Sequence, residues 1–144
     1  MPALKELHTE IEIAAPPERV WEVLTDFGSY PEWNPFIRQI SGQPAVGSHL
    51  EVRLELPEGR AITMKPSVLK AEPNQELAWL GRLVVPGIFD GEHHLQLQPR
   101  DGGTLFVQRE AFRGILLPFV GGVLEKTRRG FVQMNAALKQ RAEP

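Results

Sequence analysis

Two residues of this chain, His93 and Glu110, have the chemistry to move a proton inside a protein. An imidazole titrates near neutral pH and serves as general acid or general base. A carboxyl group in an apolar interior holds its proton more tightly unless it is paired, which is how enzymes obtain acids that work at neutral pH. Both residues stand at inward positions of alternating segments: His93 with Phe89, Leu95 and Leu97, Glu110 with Phe106, Gln108 and Phe112. A strand shows alternate residues to opposite faces, so a slip of one residue would turn both outward. Each also has a structural alternative, a neutral histidine bonded within the core or a carboxylate bonded to a turn or to Gln108. His94 is expected to face solvent.

Aromatic and flexible apolar side chains with a few polar groups line small-molecule pockets. The expected lining is Trp33, Phe36, Leu54, Met64, Trp79 and Phe89 from the first two thirds of the chain. Phe106, Gln108, Phe112, Leu116, Phe131 and Met134 complete it. The same residue types also build a plain core. Gly121, Gly122 and Gly130 fall in a helical stretch, where each costs up to ~1 kcal/mol against alanine. They leave room for a ligand, or mark close helix–sheet contact or a late helix start after Pro118. The run Leu116 to Val120 offers a pocket lid, a membrane-touching tip or a homodimer contact, with ordinary burial under the sheet edge as the simpler expectation. No phosphate-cradling glycine loop and no Gly-x-Ser-x-Gly elbow occurs, which disfavours nucleotide-driven and serine-hydrolase chemistry.

The elements that must position these residues follow from periodicity. Residues 7–13 alternate, with Leu7, Thr9, Ile11 and Ile13 on one side, as in a half-buried strand. Pro16 and Pro17 open a short helix carrying Val20, Val23, Leu24 and Phe27, with Trp21 packing it on the sheet, and Pro31 and Pro35 then kink the chain. From residue 36 to about 112, short alternating runs are divided by turn signals at Gly42, Gly47, Pro57-Glu58-Gly59, Pro73-Asn74, Pro86-Gly87 and Asp101-Gly102-Gly103. Leu50, Val52, Leu54, Leu56, Ile62, Met64, Leu77, Trp79 and Leu83 form the dry side. Beyond Gly114 the period becomes helical: Val120, Val123, Leu124, Thr127, Phe131, Met134 and Leu138 share a stripe, and Lys126, Arg128 and Arg129 form a solvated face. Strand, short helices, antiparallel strands and a long helix make an α+β layout whose dry sheet face must be covered by that helix.

Composition sets the class. Hydrophobic residues at 42% and charged residues at 24% over 144 positions predict one globular domain, residues 1–144, with a real core. A net charge of -2 with mixed signs gives no footprint for nucleic acid. No cysteine is present, which rules out disulfides and thiolate chemistry and suits a reducing, cytoplasmic setting. No apolar run reaches the roughly 20 residues of a membrane span, so stable membrane insertion is not expected.

Residues 11–37, IEIAAPPERVWEVLTDFGSYPEWNPFI, resemble the opening signature of the helix-grip (SRPBCC, START-like) superfamily. That group holds polyketide cyclases and dehydrases, lipid-transfer domains and the birch-pollen-allergen type of plant protein. Residues 89–114 are similar to its bacterial cyclase/dehydrase-like and lipid-transport members. The resemblance implies a curved antiparallel sheet of about six or seven strands wrapped around a long C-terminal helix, with two short helices after the first strand. It also implies an internal pocket for a lipid, polyketide-like or aromatic molecule. The Cys and His patterns of the iron–sulfur oxygenase relatives are missing, so neither metal nor other cofactor is expected. Three functions follow as expectations: binding of a small apolar ligand; a cofactor-independent cyclase, dehydratase or isomerase using His93 and Glu110; or a protein-interaction module. Fold alone does not choose among them.

Overall fold

A computed structural model of the chain describes residues 4–58, 61–82, 89–114 and 116–144. Strand β1 (Leu4–Ile13) is followed by helix α1 (Pro17–Thr25), a 3-10 turn (Phe27–Ser29) and the one-turn helix α2 (Tyr30–Trp33). Pro17 and Pro31 both fall in first helical turns, where a missing N–H does no harm. Past Pro35 the Asn34 Oδ1 accepts from the N–H groups of Phe36 (2.9 Å) and Ile37 (2.8 Å), which aims the chain into the next strand. Tyr30 is buried, its hydroxyl donates to the Leu24 carbonyl at 2.6 Å, and burial pushes its pKa above the usual phenol range.

Strands β2 (Ile37–Ser41), β3 (Glu51–Glu55) and β4 (Ala61–Met64) form one antiparallel sheet. Strands β5 (Ser67–Glu72), β6 (Glu76–Arg82), β7 (Asp90–Arg100) and β8 (Gly103–Arg113) join β1 in a second, in the order β1-β8-β7-β6-β5. Among the described residues these eight strands form the expected curved antiparallel sheet in two parts, joined through the His49–Ser67 bridge and the backbone bonds of residues 47–50 with 66–68. Pro66 has no N–H to give, but its carbonyl accepts from the Leu50 N–H at 2.8 Å, so the pairing runs on from β4 toward β5. The turns expected around Gly59 and Pro86-Gly87, and the inward Leu83, lie outside the described residues.

Helix α3 (Gly121–Ala142) lies across the inner face and packs most heavily on β1, burying Leu124, Thr127, Phe131, Met134, Asn135 and Leu138. A Cβ on Gly130 would run into the Phe36 ring, so this glycine serves close approach. A Cβ on Gly121 or Gly122 would meet no other described residue's atoms within 4 Å beyond the adjoining chain, and the two are the first residues of the helix. Of the expected stripe Val123 departs, being 36% exposed, while Val120 is half-buried against the core. In the preceding apolar run Leu117 is buried while Phe119 is 82% exposed, so burial under the sheet edge holds for only part of it. Among the described residues no helix is long and apolar enough to cross a membrane.

Candidate functional site

The β7–β8 hairpin places the candidate pair. Asp101 and Gly102, both at positive φ (47° and 81°), form its two-residue turn between the partners Arg100 and Gly103. Such a tight turn fixes register, and seven residues along each strand from the Arg100–Gly103 pair His93 lies directly opposite Glu110. The alternation then buries His93, Leu95 and Leu97 on one strand and Phe106, Gln108, Glu110 and Phe112 on the other.

His93 and Glu110 meet on this inner face. His93 Nδ1 lies 3.2 Å from Glu110 Oε1, and the two side chains are only 5% and 9% exposed. The imidazole stacks on Trp79 at 5.0 Å with a 15° interplanar angle, and Phe131 of α3 meets it edge-on at 5.0 Å. Its other nitrogen, Nε2, lies 2.9 Å from Gln108 Oε1. Gln108 Nε2 donates to Asn135 Oδ1 (2.8 Å), Asn135 Nδ2 donates to Thr9 Oγ1 (2.9 Å), and the Thr9 hydroxyl donates to the Gln108 carbonyl (2.9 Å). A buried chain of polar groups thus ties β8, α3 and β1 together. Low dielectric makes such a fully paired chain rigid and a broken one expensive.

Both ring nitrogens of His93 have partners, and Trp79 and Phe131 pack against the ring. Glu110 differs. No described residue bonds its second oxygen, Oε2, which lies over Gly91 in the space a side chain there would fill. Gly91 pairs with Gly81 on β6, and the Met64 methyl sits over Gly81, 2.6 Å from where a Cβ would stand. The space left by these paired glycines is thus taken up by the Met64 methyl and the Glu110 carboxyl. Beside it Phe89 stacks on Phe112 at 5.6 Å.

The expected lining residues separate into groups. Phe36, Phe106, Phe131 and Met134 are wholly buried in the core, with Phe36 edge-on to Phe131 at 5.6 Å. Gln108, wholly buried, is a link in the polar chain. Leu54, Met64, Phe89 and Leu116 remain half-buried, with Met64 against Gly81 and Phe89 against Phe112. Trp33 stands apart: it packs on Tyr30 and lines a cleft with Arg19, Glu22 and Arg141. Neither that cleft nor two others, one beside Gln39, Arg53 and Thr63 and one beside Arg100, Thr104 and Lys139, contains His93 or Glu110.

Sequence reasoning passed over Asn135, Thr9, Gly81 and Gly91. The signal existed: Asn135 is a polar residue four positions after Phe131 on the helix stripe, and each glycine lies two residues from an inward aromatic ring, Trp79 or His93. The reading of His94 is corrected. It points away from α3, yet it is buried between Glu76 Oε2 (2.5 Å) and Glu92 Oε2 (2.7 Å). Long carboxylate side chains from neighbouring positions cover it. Burial works to raise the Glu76 pKa, but hydrogen bonds from His94 and Gln96 and the Lys70 charge outweigh it and hold the group below the usual carboxylate range.

A family model described as polyketide cyclase / dehydrase and lipid transport matches residues 5–143, and the chain belongs to that family. Among solved structures, protein MLL2253 from Mesorhizobium loti is 24% identical with a TM-score of 0.72, the match covering 94% of this chain and 95% of that one. Major latex-like protein 151 from Panax ginseng is 9% identical with a TM-score of 0.80, covering 98% and 99%. The di-domain ARO/CYC StfQ from the steffimycin biosynthetic pathway is 13% identical with a TM-score of 0.69, covering 96% of this chain and 52% of StfQ. At these identities the likeness shows a shared fold, the helix-grip. No curated protein matches by sequence. Family and fold together suggest a hydrophobic-ligand-binding or polyketide-cyclase-like function.

Proposed function

We propose that this protein binds a small apolar molecule, lipid, polyketide-like or aromatic, between the sheet and α3 beside Glu110. The observation that carries this reading is the Glu110 carboxyl, almost buried, with one oxygen held by His93 and the other, above Gly91, bonded by none of the described residues. Around it, Trp79, Phe89, Phe112 and Met64 supply apolar surface. Removing such surface from water contributes about 25 cal/mol per Å², enough to hold a small ligand without catalysis. Native mass spectrometry should find a small apolar species that leaves on denaturation, or a protein that takes one up from a library of lipids and aromatic compounds. A protein that stays empty throughout would refute the reading.

A second reading, cofactor-independent proton transfer in a cyclase, dehydratase or isomerase, draws support from the 3.2 Å contact between His93 and Glu110. Here Glu110 touches the substrate and His93 exchanges a proton with it. Turnover would then vanish in His93→Ala while circular dichroism stayed native. A loss confined to thermal stability would leave binding alone.

A further inference from the structure

We infer that Glu110 faces the interior as a hydrogen-bond acceptor only, so that the molecule held there is apolar with a hydroxyl or N–H donor; this rests on the binding reading above. The direction of the buried polar chain decides it. Thr9 Oγ1 lies 2.9 Å from the Gln108 carbonyl oxygen. Two oxygens that close need a hydrogen between them, and a carbonyl has none, so the hydroxyl donates. Its single hydrogen is then used. Thr9 Oγ1 must accept from Asn135, which turns Nδ2 toward it and Oδ1 toward Gln108. Gln108 answers with Nε2, which also points at the Phe131 carbonyl at 3.5 Å, and leaves Oε1 facing His93 Nε2. Hence Nε2 carries a hydrogen.

One contact remains, His93 Nδ1 to Glu110 Oε1 at 3.2 Å. One proton lies in it, donated either by the ring nitrogen to a carboxylate or by a carboxyl O–H to the ring nitrogen. In both arrangements Oε2 bears no hydrogen. A ligand carbonyl or ether there would set lone pair against lone pair in a nearly dry site, whereas a hydroxyl completes the chain. Sites built around a buried polar partner discriminate strongly against analogues that leave it unpaired.

Wild type, Glu110→Gln and Glu110→Leu should be titrated calorimetrically with 2-naphthol and with 2-methoxynaphthalene at about pH 8, above the range where an imidazole usually takes a second proton. Wild type should prefer the naphthol by roughly tenfold or more. Glu110→Gln should keep the preference, because an Nε2–H ring leaves Nδ1 as an acceptor: the new amide donates its NH2 there and turns its carbonyl inward. Glu110→Leu should bind both probes alike. Equal binding by wild type, or a reversed preference in Glu110→Gln, overturns the inference while interior binding stands. If neither probe binds wild type, the binding reading falls and takes this one with it. A histidine long-range 15N–1H spectrum of wild type supplies a check independent of variant folding: His93 without a hydrogen on Nε2 would also overturn it.

Discussion

His93 and His94 are neighbours on one strand, both bonded to glutamate, and they live in different solvents. His93 has aromatic rings on two sides, one carboxylate and an amide chain that ends on a backbone carbonyl. His94 sits between two carboxylates on the outer face, where Glu76 also meets Lys70 and where Glu92 is 44% exposed. Water can replace most of what the outer cluster offers. It cannot replace the inner chain, whose members are closed off by α3. The inner arrangement therefore fixes donor and acceptor sense, while the outer one is an electrostatic cover that salt can screen.

That contrast breaks most readily at Gln108. Gln108→Leu removes a wholly buried amide and strands Asn135 and His93, so stability in urea should fall by about 3 kcal/mol, with little dependence on salt. A fall as small as that of a surface variant would mean that water reaches the chain. Next, Gly91→Ala puts a methyl where Glu110 Oε2 lies. Displacing the carboxylate in a packed site should lower stability by about 2 kcal/mol and abolish any preference for hydroxyl-bearing ligands, as read by calorimetry.

On the outer face, His94→Gln should lower stability by no more than about 1 kcal/mol, and the difference should shrink between low and high ionic strength in denaturant melts. An equal loss at all salt concentrations would show that His94 is as dry as His93. The smallest effect concerns acid. The Glu76 carboxyl is held below its ordinary range in the folded chain, so its contribution is present above that range and is lost as the pH falls through the lowered folded value. Thermal midpoints followed from about pH 6 to about pH 3 should therefore drop less steeply in Glu76→Gln than in wild type.

Much of this was legible before any coordinates. Alternation along residues 89–97 and 106–112 puts His93, Gln108 and Glu110 on the inner side, and the Asp101-Gly102 turn sets their register, because both are local properties of the backbone. The His94 environment was not legible, since its cover comes from Glu76, a residue on another strand. The apolar run at 116–120 likewise gave no sign that Leu117 would bury and Phe119 would not.

By itself, then, the sequence determined the faces: which side chains of each strand and of the last helix look inward follows from periods of two and 3.6 residues. Only the tertiary structure decided the closures. Thr9 and Asn135 stand 126 positions apart, and Gly81 meets Gly91 across strands joined by residues outside the described chain. No local pattern encodes such a meeting, because it depends on how sheet curvature and helix position together divide the space between them.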